Sequence, residues 1–161
     1  MKRLALALTI ALLPTCAFAK SFSLPSDPAL ASVTIPDDWK PSTYDNGVEG
    51  NSPDGTIYVA AEVVTATDVK STTEEALKLF IKQGLKIDDN STKTTDFKVG
   101  GMDAVEVSMT GTDNTGAADV SIAIVGLSAD KFIFLTYWGS PAGAKANEAA
   151  LGEIINSVKK D

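Results

Sequence analysis

The chain has no histidine, a single cysteine and a single arginine among its 161 residues. Each scarcity removes a class of chemistry. Cys16 and Arg3 both fall in the first 19 residues, which read as an export signal, so the rest of the chain has none of the three. Ser-His and Cys-His nucleophilic sites need a base or thiol that is absent there. No guanidinium fork exists to grip a phosphate or carboxylate with two parallel hydrogen bonds. No disulfide can form, so packing must stabilise the fold. Positive charge is scarce too. Beyond residue 19, 12 lysines oppose 21 acids, a net charge of −9. Such a chain lacks the basic face that neutralises nucleic-acid phosphates. No second long hydrophobic run follows the N-terminal one, so no membrane span is expected.

The sequence opens with Lys2 and Arg3, then an apolar run from Leu4 to Leu13, then Ala17-Phe18-Ala19. A positive start, a short apolar core and a small-x-small site make an export signal. The run is shorter than the roughly 20 residues a bilayer span needs. We assign 1–19 to the signal and 20–161 to one domain, the size of a chain with one core. The expected location is the periplasm or the exterior. A lipid on Cys16 is the rival, but Thr15 is larger than the small residue usual there and Pro14 fits poorly.

Residues 20–30 read as a short strand or arm and a turn at Pro25 and Pro28. Ser32 to Ile35 is a strand stopped by Pro36, which cannot donate to a ladder. "DNG" and "SPDGT" are hairpin turns. In Thr56–Thr65, Ile57, Val59, Ala61 and Val63 share one face by period two. The period then changes. Ala76, Leu77, Phe80, Ile81 and Leu85 recur at helical spacing. Thr72 with Glu75 has the spacing of a capping box, and Gly84 ends the helix. Strands follow at 92–99 and 102–111, with "GGMD" a turn between them and "TDNTG" a loop after them. Val120–Leu127 and Lys131–Trp138 are nearly continuous apolar runs, as in strands covered on both faces, and they form an antiparallel hairpin. The last helix carries Ala150, Leu151, Ile154, Ile155 and Val158, with Pro141 at its opening and Lys159 and Lys160 complementing its C-terminal dipole. The expected fold is α+β, a single-domain three-layer α/β/α sandwich with a mainly antiparallel sheet.

Candidate sites are few. Asp37-Asp38 and Asp88-Asp89 offer oxygen ligands, but without the spacing of a calcium loop. Asp and Asn there mark turns, so no metal and no cofactor is expected. "PDDW" reads as a corner whose aspartate oxygens take nearby amide protons, with Trp39 folded back as an anchor. Trp39, Tyr44 and Tyr58 are the candidate binding residues, and Trp138 is assigned to the core. A Ser-Lys pair or paired carboxylates would be needed for hydrolysis, and no motif supports either.

Several pieces together resemble the PsbP-like family, named for an extrinsic subunit of photosystem II. They are "VTIPDDW", the "SPDGT" hairpin before a long strand, "TEEALKLF", "VGGMDAVEVSMTG" and the closing "IINSVK". The resemblance covers nearly the whole chain beyond the signal. It implies an antiparallel sheet with helices on both sides, and a role in binding or assisting other proteins rather than catalysis. Metal sites of some plant members use histidine and do not carry over. The expected function is therefore a non-enzymatic, protein-binding or assembly-assisting domain of the cell envelope. Its partner would be another envelope protein. The alternative is a carrier for a small apolar molecule or lipid in an aromatic-lined pocket. A hydrolase using Asp, Glu, Lys or Ser is the third reading.

The signal assignment has a direct check. Intact mass of the exported protein is expected to begin at Lys20 without lipid, and a diacylglyceryl mass on Cys16 would reassign the chain to a membrane anchor.

Overall fold

The computed structural model describes residues 19–25 and 27–161. The expected signal, with Cys16, lies outside the described residues apart from Ala19. The elements run β1 (Ala19–Leu24), β2 (Ala31–Pro36), a 3-10 turn (Asp37–Trp39), β3 (Ser42–Tyr44), β4 (Gly47–Asn51), β5 (Ile57–Thr65) and α1 (Val69–Lys82). They continue with β6 (Lys86–Ile87), β7 (Lys93–Val99), β8 (Met102–Asp113), β9 (Gly116–Gly126), β10 (Lys131–Gly139), α2 (Pro141–Ala146), α3 (Glu148–Ser157) and β11 (Lys159–Lys160).

The large sheet has the order β3-β4-β5-β10-β9-β8-β6, with β7 also on β8. Every described pairing is antiparallel. Its centre is β10, which pairs Tyr137 with Val59 on one side and with Ser121 on the other. Side chains alternate across a strand, so β10 sends Ile133, Leu135 and Tyr137 to one face and Phe132, Phe134 and Trp138 to the other. Both faces are covered. Helix α1 lies over Val64, Ile122 and Phe134, and buries Phe80 against Met109 and Val120. On the opposite face, Val59, Ala61, Val125 and Ile133 pack with Val33, Ile35, Ile154 and Val158. That layer is mixed: a small β1-β2-β11 sheet together with α3. The architecture is the expected α+β sandwich, and one outer layer gains strands that the sequence pattern did not show.

Several boundaries moved for local reasons. Helix α1 begins at Val69, ahead of the Thr72–Glu75 pair, so the expected capping box is wrong. The Ser71 and Thr73 hydroxyls donate instead to the Asp68 and Val69 carbonyls, 2.9 and 2.7 Å away. Its end matches expectation. Gly84 sits at φ +108, and the Gly84 and Leu85 amides donate to the Ile81 and Phe80 carbonyls at 3.1 and 3.0 Å. This is the paired C-terminal closure that favours glycine. Leu85 is buried just past the helix, whereas Ile81, expected in its apolar stripe, is 55% exposed. "TDNTG" is a two-residue turn rather than a longer loop, because Asp113 accepts the Thr115 amide at 2.7 Å and lets the ladder run to Gly116. Lys159 and Lys160 do not serve the α3 dipole. They form β11, and the Lys160 ammonium donates to the Leu127 carbonyl at 2.9 Å.

"PDDW" is a corner. Its turn closes through the Lys40 amide donating to the Asp37 carbonyl at 3.0 Å, with Lys40 left-handed at φ +50. Among the described residues neither Asp37 nor Asp38 accepts a hydrogen bond on its side chain, so the expected aspartate bonding is replaced by backbone bonding. Trp39 is 1% exposed and packs into the core beneath β4. Trp39→Ala is therefore expected to destabilise by about 3–5 kcal/mol. Asp37→Asn should stay within about 0.5 kcal/mol, as an unpartnered surface change. Urea denaturation midpoints of the two variants check both.

Candidate functional site

Two openings flank the central strands, on opposite faces of the large sheet. The first is an open cleft of about 710 Å³ between the sheet and α3. Its origin lies in coverage. Helix α3 and the small sheet cover β5, β10 and the Ala104 and Val125 positions of β8 and β9, while Ser108, Asp119 and Ser121 further along those strands border the cleft. Leu135 and Tyr137 of β10, Phe97 of β7, and Leu151, Ile154 and Ile155 of α3 form its apolar walls. Ile155, at 42% exposure, is the most open of these. The floor on β8 and β9 is polar. The Ser121 hydroxyl donates to the Glu106 carboxylate across the β8–β9 pair, and Asp119 lies further along. The Tyr137 hydroxyl is buried without a hydrogen-bond partner, and burial, with the Asp119 charge, pushes its pKa up to about 12. A phenol in that state stays neutral and supplies no base. The exposed lining is mainly apolar, with Ser108, Ser121, Glu106, Asp119, Lys93 and Lys98 forming its polar part.

The second opening, about 610 Å³, lies on the α1 side at the far end of the sheet. Tyr58, Phe80 and Trp138 floor it. Phe80 meets Tyr58 edge-on, with centroids 6.0 Å apart, and meets Trp138 tilted at 5.1 Å. Trp138 is thus only half-buried and lines an opening, where its apolar strand implied a wholly internal position. Three acids rim the groove. Glu49 accepts the Tyr58 hydroxyl at 2.8 Å. Asp54 accepts the Thr56 amide and hydroxyl, the Ser52 hydroxyl and, on its other oxygen, the Asn147 side chain. Those bonds hold its carboxyl far below the usual carboxylate range. Bonds from Thr115 lower the Asp113 carboxyl, helped by the nearby Trp138 indole N–H, which finds no partner within bonding distance.

The three candidate binding residues do not meet at one place. Trp39 is in the core on the small-sheet side. Tyr44 and Tyr58 are neighbours on the α1 side. The Tyr44 ring lies over Gly47, where an added Cβ would come within 2.6 Å of its ring carbon. Burial, then the charges of Glu62, Tyr58 and Glu49, raise the Tyr44 phenol, although its 41% exposure lets water damp the effect. Burial raises Tyr58 as well, followed by its bond to Glu49. Sequence reasoning missed the cleft. Its one signal was the pair Asp119 and Ser121, polar at alternate positions in the otherwise apolar β9.

Among the described residues no three acidic side chains group as a metal ion would need. None of the described helices is long and apolar enough to cross a membrane.

Searches by sequence return no matching family model and no curated protein. The fold does match. The solution structure of cyanobacterial PsbP from Synechocystis aligns over 97% of this chain and 99% of its own, with a TM-score of 0.58 at 10% identity. LpqN of Mycobacterium tuberculosis, described as involved in cell envelope biogenesis, aligns over 88% and 91%, with a TM-score of 0.53 at 13% identity. A Bacteroides thetaiotaomicron structure aligns over 88% of this chain and 48% of its own, with a TM-score of 0.56 at 18% identity. The chain has the PsbP-like fold that its motifs implied.

Glu62 supplies a test of the α1 side. It is half-buried, and burial, then the Glu75 charge, raise its carboxyl above the usual value. A raised acid favours the folded state only while protonated. Its contribution is complete below the unfolded pKa of about 4.3 and lost as pH rises through the higher folded value. Glu62→Gln is expected to raise the melting temperature by a few degrees at pH 7 and to leave it unchanged at pH 3, as read by thermal scans at both pH values.

Proposed function

We propose that this PsbP-like chain is an exported, non-catalytic binding domain of the cell envelope whose cleft takes an apolar ligand. The cleft carries the reading. Its volume of about 710 Å³ falls in the range of small-molecule sites, about 300–1,000 Å³. Its walls are Leu, Ile, Phe and Tyr side chains, left open where a folded core would close them. A molecule with a hydrocarbon portion would cover Leu135, Tyr137 and Ile155 and gain about 25 cal/mol per Å² of apolar area removed from water. The polar β8–β9 floor would fix its orientation. Absence of histidine and cysteine from residues 20–161 supports a binding role over a reacting one.

A second reading keeps the same cleft and fills it with an apolar segment of another envelope protein. The cleft's open side supports it. Large apolar side chains exposed elsewhere are Tyr44 on β3, Leu79 and Ile81 on α1 and Val105 on β8. The cleft is thus the better docking place for either occupant.

The neutral dye N-phenyl-1-naphthylamine tests the site. Saturable fluorescence enhancement is expected with the wild type. Ile155→Asp, at an exposed wall position, should weaken it by about tenfold by placing a charge on an apolar contact. An unchanged titration in the variant would remove the cleft from the function. Native mass spectrometry of protein taken from its own envelope separates the two occupants, as a retained small molecule or a retained protein.

A further inference from the structure

We infer that the aromatic groove on the α1 side is a second binding site, specific for an alkylammonium group, separate from the apolar cleft. The groove and the cleft lie on opposite faces of the sheet. Tyr58, Phe80 and Trp138 come from β5, α1 and β10 and converge into one aromatic surface. Tyr58 and Trp138 are only half-buried, so ring surface remains open to the groove. Aromatic faces attract cations, Trp most strongly. Next is the sign of the charge. Glu49, Asp54 and Asp113 come from three separate segments, and among the described residues no lysine lines the groove. A cleft lined by one sign of charge concentrates ions of the opposite sign. The last turn of the 14-residue α1 also meets the groove through Leu79, Phe80 and Gln83, and a helix C-terminus carries partial negative charge.

The kind of cation follows from the same geometry. The acids do not group closely enough for a metal ion. At about 610 Å³ the groove is also far larger than an ion's coordination shell. An alkylammonium group fits both parts: its charge faces the carboxylates, and its carbons lie on the rings. The same chemistry has two sources, a free amine or the end of a lysine side chain on a partner.

Trp138 provides the readout, because the chain has two tryptophans and the other, Trp39, is sealed in the core on the far face. In 15N-labelled exported protein, titration with n-butylammonium is expected to move the Trp138 indole N–H signal saturably while the Trp39 signal stays still. n-Butanol and butyrate should not move it. Glu49→Gln keeps an acceptor for the Tyr58 hydroxyl and should weaken binding about two- to fivefold, the loss of one exposed charge contact. Glu49→Gln with Asp113→Asn should weaken it about tenfold. Should the double variant not fold, the single variant decides. Tripeptides Gly-Lys-Gly and Gly-Leu-Gly identify the source: tighter binding of the lysine peptide than of butylammonium indicates a partner's lysine, and equal binding a free amine. A still Trp138 signal with every cation, an equal shift with butyrate or butanol, or an unchanged affinity in Glu49→Gln overturns the inference. Dye binding in the apolar cleft is unaffected by any of these outcomes.

Discussion

The antiparallel pairing of β10 between β5 and β9 is the constraint on which the other elements depend. β10 carries Ile133 and Leu135 on one face and Phe132 and Phe134 on the other. A strand with apolar side chains on both faces cannot leave either face to water. The amphipathic α1 supplies one cover and the mixed layer of β2 and α3 the other. Strands further from β10 need less cover, and their residues show it. β3 is exposed along its length, and β7 is largely so. The edge strands carry polar and charged side chains, such as Lys93, Asp96 and Lys98, which suit an edge that must not pair with another chain.

Incomplete cover also creates both openings. The layer containing α3 reaches β8 and β9 at Ala104 and Val125 and leaves Ser108, Asp119 and Ser121 of the same strands bordering a cleft. On the other face α1 ends at Lys82, Gly84 lies beside Asn114 of the β8–β9 turn, and the aromatic groove remains next to that helix end. The two openings differ in kind because their rims differ. The cleft meets the hydrophobic side of α3. The groove meets hairpin turns, where Asp54 and Asp113 are engaged in closing the backbone. The same carboxylates that shape those turns thereby set the groove's charge. With an excess of acids over lysines, few cations are available to offset it.

Glu62, Tyr44 and Tyr58 add an acidic and phenolic margin beside the groove. Each is partly withdrawn from water near like charge, and each has its charged form disfavoured. Neutral tyrosines and crowded carboxylates in one place are a poor arrangement for stability alone. Of the three, Tyr58 packs against the buried cluster of Phe80, Leu85 and Val120.

The sequence by itself determined the elements that rest on local physics. Period two in Ile57–Val63, the two-sided run of β10, glycine closing α1 and the Pro36 corner all depend on neighbours within a few residues, and all were legible. Tertiary structure decided what depends on partners far along the chain. Lys159 and Lys160 are a strand only because β2 offers a free edge some 127 residues earlier, at Ser32 and Ala31. Trp39 and Trp138 have similar local surroundings in sequence, an aromatic at the end of an apolar strand. One is sealed and the other lines a groove, because β4 closes over the first while α1 ends beside the second. The cleft was not legible for the same reason. An apolar position on β10 or α3 looks the same in sequence whether a neighbouring element covers it or stops short, and only the lengths and angles of the packed layers settle which residues stay open.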